Sequence, residues 1–209
     1  MRVAPEGWPF IAGAWLIAAG LAGMRWWIAL AIWLPVAIWV VAFFRDPVRD
    51  GPRGDDVVLA PADGLVVSVI PIDEPAFLRG PATRISIFMS VFDVHVNRYP
   101  ARGRVAFRNY APGGFGHAMA EKASEHNEQS STGLDTPRGR LLIRQIAGSI
   151  ARRIVTDHAE GAEVGQAERM GLIRFGSRVD VFVPSGIAVV AVREGERTRT
   201  GRTVIARWT

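Results

Sequence analysis

Residues 172–183 read Leu-Ile-Arg-Phe-Gly-Ser-Arg-Val-Asp-Val-Phe-Val, a Gly-Ser pair between two apolar runs. The run Val179–Val183 is short and rich in β-branched residues, which is typical of a strand. The Gly176-Ser177 pair before it predicts a turn, because glycine has the widest backbone freedom. A serine hydroxyl in a strained turn can attack the preceding carbonyl, and Gly176 offers that attack the least steric resistance. Ser177 is therefore a candidate nucleophile.

Similar runs occur on both sides of this stretch. Each is rich in β-branched residues and bounded by Gly, Pro or Asp: Val57–Leu59, Leu65–Ile70, Arg84–Met89 and Ile187–Val192, with Arg140–Ile143 as a weaker example. Gln145–Val155 has a helix-like apolar pattern, but it fits a strand followed by a turn equally well. Many short strands separated by turn signals predict a mainly β fold with a sandwich or barrel core.

An approximate internal repeat flanks the Gly-Ser pair. Gly161-x-x-Val164-x-x-Ala167, continuing to Ile173-Arg174, recurs as Gly195-x-x-Thr198-x-x-Gly201, continuing to Ile205-Ala206-Arg207. Two such turn-and-strand units related by a pseudo-twofold axis would form a hammerhead of the lipoyl/biotinyl type. The alternative is two ordinary Gly-rich hairpin turns that match by chance.

The N-terminal residues 1–45 differ from the rest of the chain. Between Trp8 and Phe44 the one charged residue is Arg25, which separates apolar runs of 16 and 19 residues. A membrane span needs about 20 apolar residues, so the second run is long enough and the first is marginal. The sequence predicts a membrane-associated helical hairpin, and both a full span and a dip into one leaflet fit it. Arginines after the second run place residues 46–209 on the cytoplasmic side of the cell membrane.

Composition narrows the chemistry. The chain has no cysteine, which excludes disulfide scaffolds, thiolate metal sites and cysteine nucleophiles. No cluster has metal-ligand spacing, and no phosphate-binding loop or dinucleotide fingerprint occurs. Basic residues outnumber acidic ones by 25 to 20, which fits an anionic partner such as a lipid head group, a membrane surface or a nucleic acid. Lys122 is the single lysine, so it is the one candidate for lysine Schiff-base chemistry.

Attack by Ser177 on the Gly176 carbonyl permits a specific sequence of reactions. The resulting ester can eliminate to dehydroalanine, which hydrolyses to an N-terminal pyruvoyl group. That ketone is an electron sink comparable in role to pyridoxal phosphate.

Five blocks of the chain together resemble the phosphatidylserine decarboxylase proenzymes of the short bacterial type. The blocks fall in the family's order: Pro61–Gly64, Met89–Arg98, Asn127–Gln129, Gly139-Arg140 with Arg144–Gly148, and Ile173–Asp180. The resemblance covers the chain from about Phe43 to the C-terminus and implies cleavage between Gly176 and Ser177 into chains 1–176 and 177–209. It implies that the Ser177 pyruvoyl group forms a Schiff base with phosphatidylserine and releases CO2 to give phosphatidylethanolamine.

The resemblance also implies roles for individual residues. Asp63 matches the acidic member of the family's Asp-His-Ser processing triad, and His95 matches a histidine that protonates the carbanion after CO2 leaves. The implied partners are membrane phosphatidylserine and the two chains of the proenzyme, without nucleic acid. Diacyl and ether lipids share this head group, so the tails stay open, as does homo-oligomerisation.

The sequence departs from the family at Arg98. Longer members carry Asp-x-His-x-x-His, in which the second histidine is the processing base, and Arg98 occupies its place. His95 could therefore serve both steps, since its ordinary pKa suits proton transfer near neutral pH. Arg98 could clamp the substrate phosphate or carboxylate instead. His117, after a Gly-rich stretch, is a second candidate for contact with the head group.

Two other classes of function remain at this point. A membrane-anchored hammerhead adaptor without catalytic activity would account for the repeat, but not for the blocks around Asp63 and His95. A pyridoxal-phosphate decarboxylase would need Lys122 as its Schiff-base lysine, yet no phosphate-cradling loop accompanies it.

Overall fold

The computed structural model describes residues 2–113, 127–148, 154–174 and 177–209. The fold is mainly β, as predicted, with two α-helices and a 3-10 turn near the N-terminus. The helices are α1 Trp8–Gly23 and α2 Trp27–Phe43, preceded by the 3-10 turn Pro5–Gly7. The strands are β1 Arg2–Val3, β2 Arg45–Asp46, β3 Val57–Leu59, β4 Gly64–Glu74, β5 Gly80–Met89, β6 Val96–Arg98, β7 Gly103–Ala111, β8 Gln129–Asp135, β9 Arg140–Ala147, β10 Ile154–Thr156, β11 Glu163–Val164, β12 Arg169–Ile173, β13 Ser177–Pro184, β14 Ala188–Val190, β15 Arg197–Thr198 and β16 Val204–Trp208.

The chain divides into two compact units, Met1–Val48 and Arg49–Thr209. In the first unit, α1 and α2 pack against each other, and Trp33 of α2 donates its indole N–H to the Ala14 carbonyl of α1 at 2.8 Å. The small side chains Ala14, Ala18 and Ala37 are buried, which allows the helices to approach closely. Strands β1 and β2 pair at the base of this helical hairpin.

The second apolar run forms a shorter helix than the sequence predicts. Trp26 and Phe44 have non-helical dihedral angles, with ψ at 66° and 14°, so α2 has 17 residues. Within the part of the chain that the structure describes, no helix combines the length and the apolar character that a membrane crossing requires.

The second unit is built on one antiparallel sheet of eight strands in the order β11-β7-β8-β9-β13-β5-β4-β15. The tip of the β4–β5 hairpin reaches across one face of this sheet, where Phe77 stacks on Phe107 of β7 at 5.6 Å between ring centroids. The sheet is therefore curled into a half-barrel. Strand β13, which follows the Gly-Ser pair, is central and pairs with β5 on one edge and β9 on the other.

The segment Gln145–Val155 is not helical where it is described. Gln145 lies inside β9, and Ile154-Val155 belongs to β10. Of the two alternatives, a strand is confirmed for Gln145–Ala147, because these buried residues belong to β9, which pairs with β8 on one edge and β13 on the other. Tertiary pairing overrides the local apolar periodicity.

The internal repeat predicted from the sequence is present. Two three-stranded sheets, β10-β12-β6 and β14-β16-β3, match strand by strand. Strands β10 and β14 begin 34 residues apart, as do β11 and β15. Gly161 and Gly195 open the corresponding turns at φ of 94° and 87°, and Ala167 and Gly201 close them at 62° and 66°. These left-handed angles explain why glycine recurs there.

A second pair of repeats completes the hammerhead and was missed in the sequence. Pro61-Ala62-Asp63-Gly64 precedes β4, and Pro100-Ala101-Arg102-Gly103 leads into β7. Strands β3 and β6 begin 39 residues apart, as do β4 and β7. Each half makes the same pairings. In one half β3 pairs with β16 and β4 with β15, and in the other half β6 pairs with β12 and β7 with β11. The two halves therefore share one strand topology, as expected for a hammerhead.

Candidate active site

Ser177 lies at the first position of the central strand β13. Its Cα partners are Met89, the last residue of β5, and Ala147, the last residue of β9. The residue is 0% exposed, and among the described residues its Oγ has no hydrogen-bond partner. An unsatisfied buried hydroxyl costs about 1–3 kcal/mol, so such a group calls for an explanation beyond packing.

His95, the residue directly before β6, lies at the same end of the core. The N–H of Ile173, the last residue of β12, donates to the His95 carbonyl at 3.4 Å. Ile173 precedes Ser177 by four residues, a distance that an extended chain covers in at most about 14 Å. The short segment from Ile173 to Ser177 therefore has His95 at its first residue and Ser177 at its last, although the two residues are 82 positions apart in the chain.

The His95 ring has a defined proton arrangement. Its Nδ1 lies 3.1 Å from the Asp93 carbonyl oxygen, which can only accept a hydrogen bond. Nδ1 therefore carries the proton, and Nε2 is the basic nitrogen of the neutral ring. The whole residue is buried. A histidine oriented in this way can accept a proton at Nε2 and return it at the same atom.

Two buried amides connect this strand to the sheet beside Ser177. Gln145 donates to the Asn97 side-chain carbonyl at 2.8 Å, and Asn97 donates to the Met89 sulfur at 3.5 Å. On the β9 side of Ser177, Asn127 donates its side-chain N–H to the Ala147 carbonyl at 2.8 Å. Both strand partners of Ser177 are thus contacted by a buried asparagine. Sequence analysis assigned these residues no role, although a polar Asn97 between Val96 and Arg98 on a buried strand was a usable signal.

Asp63 lies in the turn before β4. The Arg49 guanidinium donates to one carboxylate oxygen at 2.6 Å, and the Thr200 backbone N–H donates to the other at 2.7 Å. Across the sheet, Leu65 of β4 pairs with Phe88 of β5, and Phe88 pairs with Arg178 of β13. Asp63, just before β4, therefore lies at nearly the same level of the sheet as Ser177, two strands away. Two strand spacings correspond to about 10 Å. Asp63 is therefore at the correct end of the sheet, but its carboxylate hydrogen-bonds elsewhere.

The other predicted residues are placed as follows. Arg98 donates from Nη1 to the Ala167 carbonyl at 3.1 Å, and its Cδ lies near Gly201, at the turns of the hammerhead. Successive residues of a strand face opposite sides, so the Arg98 side chain leaves β6 on the face opposite Asn97. Its role in substrate binding stays a prediction. His117, Gly176 and Lys122 lie outside the described residues.

Comparison with known proteins decides the family. The family model described as phosphatidylserine decarboxylase matches residues 36–206, which include the sheet, the hammerhead and Ser177. The chain belongs to this family. It is therefore a decarboxylase, and the alternative of a non-catalytic hammerhead adaptor is wrong.

Full-length relatives of this decarboxylase agree. A protein of Symbiobacterium thermophilum named phosphatidylserine decarboxylase proenzyme is 47% identical over 98% of this chain and 95% of its own length. A proenzyme of the same name from Xanthobacter autotrophicus is 48% identical over 96% of this chain and 86% of its own length. A third, from Azorhizobium caulinodans, is 47% identical over 96% and 87%. As a member of this family, the decarboxylase is made as a proenzyme.

Proposed function

We propose that this decarboxylase converts phosphatidylserine to phosphatidylethanolamine with a pyruvoyl group that it makes from its own Ser177. The observation that carries the proposal is the buried Ser177 Oγ without a hydrogen-bond partner at the start of the central strand. The family's proenzyme character supports a maturation step in the chain, and the Gly176-Ser177 pair is the bond that Ser177 can attack.

The self-cleavage step balances without an external reagent other than water. Ser177 Oγ attacks the Gly176 carbonyl carbon, and the peptide C–N bond breaks as the acyl group moves from nitrogen to oxygen. Loss of the Ser177 α-proton then breaks the Cβ–Oγ bond, which releases Gly176 as a carboxylate and leaves dehydroalanine. Its imine tautomer is hydrolysed by water, which releases ammonia and leaves the pyruvoyl group. A base must accept two protons in turn, one from Oγ and one from Cα.

His95 is the candidate for that base and for the later proton donor. Its Nε2 is basic because Nδ1–H is committed to the Asp93 carbonyl. Arginine at position 98 cannot act as a base, since a guanidinium does not lose its proton in proteins. Asp63 is the candidate acidic member of the processing machinery, and its carboxylate is held at this end of the sheet by Arg49 and the Thr200 backbone N–H.

A pyruvoyl group at position 177 fits its surroundings. It would replace a buried side chain whose hydroxyl has no hydrogen-bond partner among the described residues, so loss of that hydroxyl breaks no side-chain hydrogen bond. The group supplies a ketone that condenses with the substrate amine and accepts the electron pair left when CO2 departs. His95 then delivers a proton to the carbon that lost CO2. The buried surroundings of His95 and Ser177 exclude bulk water from this proton transfer.

The fold accounts for how a cleaved chain would stay assembled. Residues 177–209 contribute β13, β14, β15 and β16. Strand β13 pairs with β5 and β9, β15 pairs with β4, and β16 pairs with β3. Each of these pairings joins the small chain to the large one, whereas β14 pairs with β16 inside the small chain. Cutting the 176–177 bond therefore removes one covalent link from an interface that ladder hydrogen bonds already hold.

Intact mass of the small chain tests the proposal directly. We expect the purified wild type to yield two chains, 1–176 and 177–209, with the small one lighter than the serine-ended peptide by the mass of one ammonia. Borohydride reduction should add two hydrogens to its ketone. A serine-ended small chain would indicate ordinary proteolysis, and an intact chain that still decarboxylates phosphatidylserine would exclude self-processing.

We further propose that the unit Met1–Val48 attaches the enzyme to the cytoplasmic face of the cell membrane. Large apolar side chains are exposed on it, among them Trp26, Trp27 and Ile28 at 60%, 62% and 80%. Tryptophans at such ends prefer the membrane interface. The arginines after α2 favour the cytoplasmic side.

Vesicle flotation tests this attachment. The wild type should float with phosphatidylserine-containing vesicles, and a triple change of Trp26, Trp27 and Ile28 to serine should reduce the floating fraction at least about tenfold, because transfer of each large apolar side chain contributes about 1.5–3 kcal/mol. Serine in place of the half-exposed Ile187 is the matched control, since Ile187 lies in the other unit. Equal flotation of all three proteins would contradict the proposal.

A further inference from the structure

The face of the eight-stranded sheet opposite Ser177 carries buried charges that catalysis does not use. Along β13, Ser177, Val179 and Val181 face the main core, so Arg178 and Asp180 face the other side. Arg144 of β9 pairs with Asp180, and Arg84 of β5 pairs with Phe182. These pairings place Arg84, Arg144 and Arg178 on that face, and we call them the arginine cluster.

One member of the arginine cluster is neutralised within its own strand. Arg178 donates to both carboxylate oxygens of Asp180, at 2.7 and 2.8 Å, and the two side chains are 2% and 0% exposed. Arg144 donates to the Ser131 hydroxyl at 3.1 Å and lies 5.0 Å above the Phe182 ring, and the carboxylates of Asp180 and Glu74 act on it electrostatically.

Within the described residues, no carboxylate or ring engages Arg84 in this way. The residue is 6% exposed, and its Nε is buried without a hydrogen bond. Ser86, two residues along β5 on the same face, is 0% exposed and its Oγ also has no hydrogen-bond partner. A buried donor of a charged group costs more than a neutral one when it is left unsatisfied. Arg84 and Ser86 therefore both carry unused donors on this face of the sheet.

The charge balance around the cluster is positive. Glu74 is the second carboxylate that interacts electrostatically with Arg144, but its oxygens accept the backbone N–H groups of residues 76–78 at the hairpin tip. Burial lowers the pKa of Arg144, and the positive charges of Arg84 and Arg178 act in the same direction against Asp180 and Glu74. Three guanidinium groups thus face two carboxylates, each of which is already engaged.

We propose that the arginine cluster binds an oxyanion of the phosphate class, with Arg84 and Ser86 as donors and Arg144 as a second cation. A monoanion would neutralise the excess charge and satisfy the unused donors at once. The site is distinct from the catalytic centre, because the sheet separates it from Ser177. If the proposed cleavage occurs, Arg84 and Arg144 belong to the large chain and Arg178 to the small one, so the anion would join the two.

Thermal unfolding of the full chain in detergent micelles tests the site with inorganic phosphate against sodium chloride at equal ionic strength. We expect phosphate to raise the Tm by roughly 3–8 °C at about 100 times its Kd. The rise should also appear in Ser177→Ala, because anion binding does not depend on cleavage. Arg84→Met should abolish it, whereas Arg193→Met, at an exposed arginine, should keep it. Glycerophosphoserine, tested in parallel, distinguishes a head-group phosphodiester from free phosphate as the preferred ligand.

A direct binding measurement covers the case in which Arg84→Met does not fold. Equilibrium dialysis of the wild type against labelled phosphate should give about one anion per chain, competed by sulfate and not by chloride. The proposal is overturned if the wild type binds neither phosphate nor glycerophosphoserine in dialysis, or if a folded Arg84→Met binds as well as the wild type. Loss of processing with retained phosphate binding would instead count against the proposed function alone.

Discussion

Replacing Ser177 with alanine is expected to leave one uncut chain of 22.8 kDa and to abolish CO2 release from phosphatidylserine. Alanine removes the Oγ that attacks the Gly176 carbonyl, so neither the cleavage nor the ketone can form. The substitution removes no hydrogen bond, because the Ser177 Oγ has none. We therefore expect the Tm of the uncut variant to match that of a folded proenzyme. Denaturing electrophoresis and a CO2-release assay measure the two effects separately.

Ser185→Ala is the matched control for this experiment. Ser185 follows the same strand, β13, but lies exposed in the turn after it. The control should be processed to two chains and keep the activity of the wild type. A Ser177→Ala protein that is still cut between residues 176 and 177, or that still releases CO2, would contradict the role of Ser177.

His95→Gln is expected to lower CO2 release by about 10²–10⁴-fold, the usual contribution of a general acid or base. Glutamine can still donate to the Asp93 carbonyl, so the fold around β6 should persist, but it cannot exchange a proton near neutral pH. We infer that His95 serves both steps, so the uncut chain should accumulate as well. Activity per cleaved chain, together with the fraction cleaved, measures the two steps.

His158→Gln is the control, because His158 bonds to Tyr99 and Glu168 and should affect neither step. A His95→Gln chain that is fully cleaved but inactive would remove the processing role and leave the role in protonation.

Asp63→Asn should slow cleavage at least about tenfold. Arg49→Met tests whether that effect arises merely from the broken ion pair with Asp63. Equal slowing in both variants would assign Asp63 a structural role.

Local patterns were sufficient where a residue's conformation depends on its neighbours in the chain. The β-branched run Val179–Val183 predicted β13, although the structure begins this strand at Ser177, which the sequence had assigned to a turn. The glycines at 161 and 195 predicted two turns, since glycine adopts a left-handed φ without strain. The same reasoning left Gln145–Val155 open between a helix and a strand followed by a turn. Pairing with β8 and β13 decides that segment, and no local pattern records which strands lie beside it.

The sequence by itself determined the hydrophobic hairpin, the β character of the remainder, Ser177 as the candidate nucleophile and the resemblance that names His95 and Asp63. Tertiary structure alone decided which partners these residues have. It pairs Ser177 with Met89 and Ala147, directs Asp63 to Arg49, and turns Arg98 toward Ala167. It also gathers the arginine cluster from three strands. The reason is physical: strand register sets which side chains share a face, and register arises from pairings between residues far apart in the chain.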